Sequence, residues 1–131
     1  MNLKTNCTMH KIILIITAVL GALSVVFGAF GAHSLHSKLG AEALKNFETG
    51  VRYQMYHVLA IFLVATLSQL RDADKNQIGV LFLIGILFFS GSLYAITAGG
   101  INPKSIWFIT PLGGLFMIAG WVWFAYKLIG L

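Results

Sequence analysis

The polar side chains that could do chemistry lie near the ends of long apolar stretches. His33 and His36 are three residues apart, and His57 follows further along the chain. Imidazole nitrogens can ligate a metal or haem, but the His-x-x-His pair has no acidic or cysteine ligand at a fixed spacing. Ser90 or Ser92 as a nucleophile needs a base and an orienting acid, and no Asp or Glu stands near them. Hydrolytic catalysis is therefore disfavoured.

Anion binding is a further chemistry that these residues suit. Arg52 begins a run of polar and aromatic residues at the start of an apolar stretch. An arginine at a membrane interface, with tyrosines beside it, suits an anionic headgroup. The competing interpretation is that the same polar groups only hold helices together through hydrogen bonds. We predict no catalytic residue, metal ligand or cofactor. The predicted ligand-binding set is His33, Arg52, Tyr53, Gln54, His57, Ser90 and Tyr94.

The amino-acid composition indicates the class of protein in which this ligand-binding set lies. The 131 residues are 58% hydrophobic and 10% charged, whereas about a quarter of a soluble domain is charged. The composition predicts a single integral membrane domain over residues 1–131 and excludes a disordered chain. The lone Cys7 excludes a Cys-x-x-Cys redox pair. The net charge of +5 comes from scattered basic residues, which favours membrane lipids over nucleic acid as partners.

The apolar stretches predict transmembrane helices. About 20 apolar residues are needed to cross about 30 Å of hydrocarbon. Four stretches have about this length: residues 12–32, 53–70, 78–98 and 106–126. Trp121 lies towards the end of the fourth and fits an interfacial aromatic belt. Because four passes bring the end of the first span, the start of the second and the end of the third to one side, the polar set should converge beneath one interface.

The link between the first two spans carries its own pattern. Leu44, Phe47 and Val51 recur at helical spacing, and Glu48 and Arg52 form an i,i+4 pair. This pattern predicts a short amphipathic interfacial helix, which either continues into the second span or bends before it at Gly50. The predicted fold is an all-α membrane protein, a four-transmembrane-helix bundle with an interfacial helix between helices 1 and 2. The predicted helix-packing residues are small: Gly21, Gly28, Gly31, Gly113 and Gly120.

Charge gives the predicted orientation and argues against one class of transporter. The side with the termini carries one more basic residue than the other, so the positive-inside rule favours both termini in the cytoplasm. No ionisable residue lies in the middle of a predicted span. Proton-coupled transport usually depends on such a group, which small four-helix multidrug exporters have in their first span.

Four segments have an order and spacing that resemble a known family. They are Gly28–His33 (GAFGAH), Thr49–His57 (TGVRYQMYH), Phe89–Tyr94 (FSGSLY), and Thr110–Gly114 (TPLGG) followed by Gly120-Trp121. The chain resembles, over about residues 12–126, the YgdD/YwdK-type family of small bacterial membrane proteins. This family is a domain of unknown function, with a related small transmembrane protein in animal mitochondria.

The resemblance implies a four-helix inner-membrane protein but no activity. The family's signature positions fall on His33, Arg52, Tyr53, Gln54, His57, Ser90, Ser92, Tyr94, Thr110 and Pro111. We predict a non-enzymatic protein of the bacterial inner (plasma) membrane, which binds lipid or a protein partner, or acts as a scaffold, through the polar cluster. The alternatives are a small transporter or channel subunit acting as a homo-oligomer, and a haem- or metal-binding accessory.

Overall fold

The computed structural model describes the backbone of residues 3–131 and the side chains from His10 onward. Over this range the chain is helical and has no strand, which confirms the all-α prediction. A five-residue π-helical turn, Gly31–Leu35, continues the first helix, and a short 3-10 turn, Pro103–Ser105, precedes the last. The four long helices are α1 (Leu3–Phe30), α2 (Ala41–Thr66), α3 (Asp72–Thr97) and α4 (Ile109–Ile129).

Three helical stretches of the described chain are long and apolar enough to cross a membrane: His10–Leu35, Asp72–Thr97 and Ile109–Ile129. They correspond to the first, third and fourth predicted spans. α2 is not among them: its first half carries four charged residues, Glu42, Lys45, Glu48 and Arg52, and its middle has the polar run RYQMYH at residues 52–57. The structure therefore supports three membrane-crossing helices by length and composition. α2 differs from them because its first half is polar and only its second half is apolar.

No separate interfacial helix forms within residues 33–52, and of the two expected arrangements the structure has the continuous one. Residues 41–52 are the first half of α2, which continues without a break to Thr66. Gly50 does not bend the chain but lets α3 approach, because a Cβ there would lie 2.9 Å from Tyr94 Cε1. The expected pair of Glu48 and Arg52 is also absent, since Arg52 Nη2 donates instead to Thr49 Oγ1 at 3.3 Å.

α3 is the central helix, because it packs along each of the other three. Ile78 and Phe82 on its inner face are completely buried. Side chains from all three neighbours surround them: Ile13, Val58, Ile61, Val64, Met117 and Phe124. α1 and α4 have little or no direct contact, so the helices group around α3 rather than closing into the predicted bundle.

Glycines set how closely the helices approach. The contact of α3 with α4 is the tightest, because a Cβ on Gly113 would overlap the backbone of Phe88 and Phe89. A Cβ on Gly120 would lie 2.6 Å from Phe82 Cε1 on α3. Small residues allow such backbone contact between membrane helices, and dispersion then accumulates.

The predicted packing glycines of α1 face α2 with looser contacts. A Cβ on Gly21 would lie 3.2 Å from Val58 Cγ1, and one on Gly28 would lie 3.6 Å from Val51 Cγ1. Gly31, in the π-helical turn, lies against the ring of Phe47. These contacts place the C-terminal part of α1 alongside α2 between Phe47 and Val58.

Candidate functional site

A chain of hydrogen bonds connects α3, α2 and α1. Tyr94 Oη donates to Gln54 Oε1 at 2.7 Å, and Gln54 Nε2 donates to the carbonyl oxygen of Leu20 at 2.7 Å. Only 2% of Gln54 is exposed. Beside this chain, Ser90 Oγ donates to the Gly50 carbonyl at 2.7 Å. These bonds give buried polar groups partners in an apolar interior, where an unpaired group would be costly.

His57 joins α2 to α4 through both nitrogens of its ring. Nδ1 lies 2.7 Å from the carbonyl oxygen of Tyr53, and Trp121 Nε1 donates to Nε2 at 3.1 Å. Because a carbonyl only accepts and an indole N–H only donates, Nδ1 carries the proton and the imidazole is neutral. The ring lies edge-on to Phe82, near the middle of α3. His57 therefore lies nearer the middle of α3 than the contacts made by Ser90 and Tyr94 do.

A further contact connects α3 to α4 near the start of α4. The hydroxyls of Ser92 and Thr110 are in hydrogen-bond contact, and Ser92 Oγ also donates to the carbonyl oxygen of Phe89 at 2.9 Å. Sequence reasoning left Ser92 and Thr110 outside the predicted ligand-binding set, although both are signature positions of the resemblance. The contact shows that each long helix is tied to a neighbour by side-chain hydrogen bonds.

The predicted ligand-binding set divides into a buried and a surface group. Four of its members form the internal bonds described above: Gln54, His57, Ser90 and Tyr94. Tyr53 is partly exposed and packs its ring against Phe89 at a centroid distance of 5.0 Å. His33 lies exposed on the π-helical turn, and Arg52 lies exposed on α2. The structure does not bring His33 and Arg52 into the hydrogen-bonded group.

Arg52 belongs instead to a groove between α1 and α2, which we call the α1–α2 groove. Its volume is about 220 Å³. Residues of both helices line it: Phe27, Gly28, Gly31, Phe47, Glu48, Val51 and Arg52. Phe27 and Phe47 each pack against the ring of Tyr94, with centroid distances of 5.0 Å. The hydrogen bond from Tyr94 to the buried Gln54 therefore supports the apolar wall of this groove.

The other end of the molecule carries a group of charges that sequence reasoning missed. Asp74 accepts from Arg71 Nε at 2.8 Å and Nη2 at 3.1 Å, and its Oδ1 lies 3.0 Å from Lys127 Nζ. Hydrogen bonding to Asp74 raises the pKa of the Arg71 guanidinium. The i,i+3 spacing of Arg71 and Asp74 is a sequence signal for the first pair. The contact with Lys127 has no such signal, because Asp74 and Lys127 lie far apart in the sequence.

These charges border a cleft of about 400 Å³, the terminal cleft. It lies where the link from α2 to α3 meets the end of α4. The lining residues are Gln69, Leu70, Arg71, Asp74, Tyr126, Lys127, Ile129, Gly130 and Leu131. Among the residues that the structure describes, no three His, Cys, Asp or Glu side chains group as metal ligands would.

The apolar helices and their buried polar contacts define an α-helical membrane protein, and comparison with known proteins identifies the family. A family described as "Protein of unknown function (DUF423)" matches residues 27–114. The chain is 45% identical over 114 residues to a UPF0382 membrane protein of Haemophilus influenzae. The aligned region covers 86% of this chain and 90% of the relative.

Two further relatives are those on which the resemblance was based. The UPF0382 membrane protein YwdK of Bacillus subtilis is 40% identical over 86% of this chain and 91% of its own length. The UPF0382 inner membrane protein YgdD of Escherichia coli is 38% identical over 92% of this chain and 88% of its own length. No solved structure matches the chain. The chain belongs to the UPF0382 (DUF423) family of membrane proteins, which confirms the predicted resemblance.

Proposed function

We propose that this protein is a non-enzymatic lipid-binding protein of the inner membrane, and that the α1–α2 groove is its binding site. The observation that carries the proposal is the position of Arg52 beside an apolar groove whose walls come from two helices. A guanidinium is suited to a phosphate because its N–H groups form a planar fork. The apolar walls suit an acyl chain of the same lipid.

The two charges of the groove favour a zwitterionic headgroup. Glu48 and Arg52 both line the groove and do not pair with each other. Arg52 uses one nitrogen for Thr49, so most of its five N–H donors remain free. A phosphoethanolamine headgroup offers a phosphate to Arg52 and an ammonium to Glu48. Its ammonium can donate hydrogen bonds, which the trimethylated amine of a phosphocholine headgroup cannot.

The groove is also built to keep its shape without a ligand. Phe27 and Phe47 contact Tyr94, whose hydroxyl is bonded to the buried Gln54. A preformed wall lowers the ordering cost of binding. Gly28 and Gly31 keep the α1 side open, since neither carries a side chain that would fill the groove.

Native mass spectrometry of the detergent-solubilised protein tests this proposal with phosphatidylethanolamine, phosphatidylglycerol and phosphatidylcholine. We expect the wild type to retain phosphatidylethanolamine in preference to phosphatidylcholine. Arg52→Gln should weaken that retention by about tenfold, the loss expected for one charge-assisted hydrogen bond. Glu48→Gln should reduce the preference for ethanolamine over choline.

The matched control is Lys104→Gln, which removes one positive charge from the exposed 3-10 turn near the same end of the molecule. It should retain phosphatidylethanolamine as the wild type does. A second control compares Gly28→Leu, which fills the groove, with Gly91→Leu, where nothing lies within 4 Å of the added Cβ. Equal retention by wild type and Arg52→Gln would overturn the proposal.

We further propose that α2 crosses the membrane, which gives four passes with both termini in the cytoplasm. Support comes from Ile61 and Val64, which pack into the core beside the membrane-crossing α3. Leu59 and Leu63, on the outer face of the same half of α2, are exposed and apolar. Reporter fusions test this topology: a phosphatase and a fluorescent protein fused in turn to each terminus should both report the cytoplasm. A periplasmic signal at one terminus only would contradict four passes.

A further inference from the structure

We propose that the terminal cleft is a second binding site, specific for a phosphate-type anion, and that its ligand is the headgroup of an anionic phospholipid. This cleft lies at the end of the molecule opposite the α1–α2 groove, where α3 begins and α4 ends. The proposal does not depend on the groove, because no residue lines both sites.

Two cations converge at this cleft on one carboxylate oxygen. Asp74 Oδ1 contacts Arg71 Nη2 at 3.1 Å and Lys127 Nζ at 3.0 Å. Both nitrogens touch the same atom, so they lie close enough for one phosphate group to accept from both. The Asp74 side chain is 7% exposed, whereas that of Arg71 is 76% exposed. The carboxylate is therefore shielded while the guanidinium is open to a ligand.

The three charged side chains at the cleft have a net positive charge and unused hydrogen-bond donors. Arg71 and Lys127 contribute two positive charges and Asp74 one negative charge, which leaves one positive charge among the three side chains. A guanidinium has five N–H donors and an ammonium three. Asp74 occupies two donors of Arg71 and one of Lys127. The remaining donors are available to oxygen atoms of a ligand.

Aromatic rings hold the ammonium in position. Lys127 Nζ lies 4.7 Å from the centre of the Trp123 ring and 5.7 Å from that of Tyr126. Both distances allow a cation–π attraction, which restricts an otherwise flexible lysine. Asp74 and the two rings together order this side chain before a ligand binds, so less rotamer entropy is lost on binding.

The apolar part of the lining favours a lipid over free phosphate. Leu70 is buried at one wall of the cleft, and Ile129 is exposed at another. Ile129 ends α4, a helix that can cross a membrane. The cleft therefore lies at the depth where headgroups and the first methylene groups of acyl chains meet. A phosphodiester with attached acyl chains can use both the cations and these apolar side chains.

Native mass spectrometry of the full chain in detergent, with dioleoylphosphatidylglycerol added, tests the proposal. We expect the wild type to bind this lipid more tightly than phosphatidylcholine. Arg71→Gln should weaken the binding by about tenfold, whereas Arg71→Lys should weaken it less because it keeps the charge. Lys127→Gln is a second variant that removes the other cation. Lys104→Gln, at the opposite end of the molecule, should bind as the wild type does.

Competition between inorganic phosphate and the bound lipid distinguishes a site for free phosphate from a site for a lipid headgroup. If inorganic phosphate at millimolar concentration displaces the bound lipid, the cleft is a site for free phosphate as well. If phosphate does not displace it, the cleft is a lipid site. Unchanged phosphatidylglycerol binding in both Arg71→Gln and Lys127→Gln overturns the proposal, as does equal affinity of the wild type for phosphatidylcholine. Arg52→Gln should lose phosphatidylethanolamine but keep phosphatidylglycerol, so the two sites can fail separately.

Discussion

Trp121 on α4 donates its indole N–H to Nε2 of His57 on α2 at 3.1 Å. The opposite nitrogen of the imidazole faces the Tyr53 carbonyl oxygen, so the ring is held in one neutral tautomer. Burying either polar group in an apolar interior without a hydrogen-bond partner would cost free energy. Their pairing explains how an imidazole can lie against Phe82, near the middle of the central helix.

Trp121→Phe tests the importance of this pair. The substitution keeps an aromatic ring near Phe82 but leaves Nε2 of His57 without its donor. We expect a loss of about 1–3 kcal/mol in the free energy of unfolding, the cost of an unsatisfied buried acceptor. Thermal unfolding in detergent measures it. Trp107→Phe is the control, because Trp107 is 71% exposed. Equal stability of the two variants would show that the hydrogen bond contributes nothing.

Tyr94 and Gln54 should behave as a coupled pair in a double-mutant cycle. Tyr94→Phe removes the donor to Gln54 Oε1, and Gln54→Leu removes both of its bonds. Each bond between membrane helices contributes about 0.6 kcal/mol on average, with a maximum of about 1.7. The double variant should therefore lose less stability than the two single losses added together. Strict additivity in chemical or thermal unfolding would contradict a direct interaction.

Neighbouring glycines on α4 should respond differently to the same substitution. A Cβ on Gly113 would overlap the backbone of α3, whereas one on Gly114 would lie 3.8 Å from Phe89 Cδ2, an ordinary contact. Overpacking lowers the free energy of unfolding by about 1–3 kcal/mol when side chains can move aside. A helix backbone moves aside less readily than a side chain, so an overlap with it costs more. Gly113→Ala should thus lower the melting temperature well below that of Gly114→Ala. Similar melting temperatures would contradict the close approach of α3 and α4.

The two acidic residues at the start of α3 should differ in their contribution to stability. Asp74 is buried and bonded to two cations, whereas Asp72 is 66% exposed and lies 3.7 Å from Lys75. Asp74→Asn should cost about 1.5–3 kcal/mol, as expected for hydrogen bonds to charged groups. Asp72→Asn should cost at most about 1 kcal/mol. Unfolding in low and high salt measures both, and equal costs would contradict the shielding of Asp74.

Part of the internal hydrogen bonding could be predicted from the sequence, because Ser90 and Tyr94 were expected to converge with polar residues of the second span. Ser90 and Tyr94 share one stripe of α3, and both bond to α2. The role of Trp121 was not predictable, because a tryptophan near the end of an apolar stretch has the same pattern whether its N–H faces a headgroup or a buried histidine. The partnership of Asp74 with Lys127 depends on helix packing, which no local pattern records.

The continuity of α2 also depends on tertiary contact. The sequence left two arrangements open, a bend at Gly50 and a helix that continues into the second span. In the structure, Gly50 lies against Tyr94, and its carbonyl oxygen accepts from Ser90. A glycine required for close packing and a glycine required for a bend look alike in a single sequence. Only the neighbouring helix distinguishes them.

Four side-chain hydrogen bonds join α2 to its neighbours, at three levels along its axis: one at Gly50, two at Gln54 and one at His57. Sliding α2 by one helical turn, about 5.4 Å, would break all four together. Any motion that accompanies function is therefore expected to tilt whole helices, while α2 keeps its axial register against α1, α3 and α4.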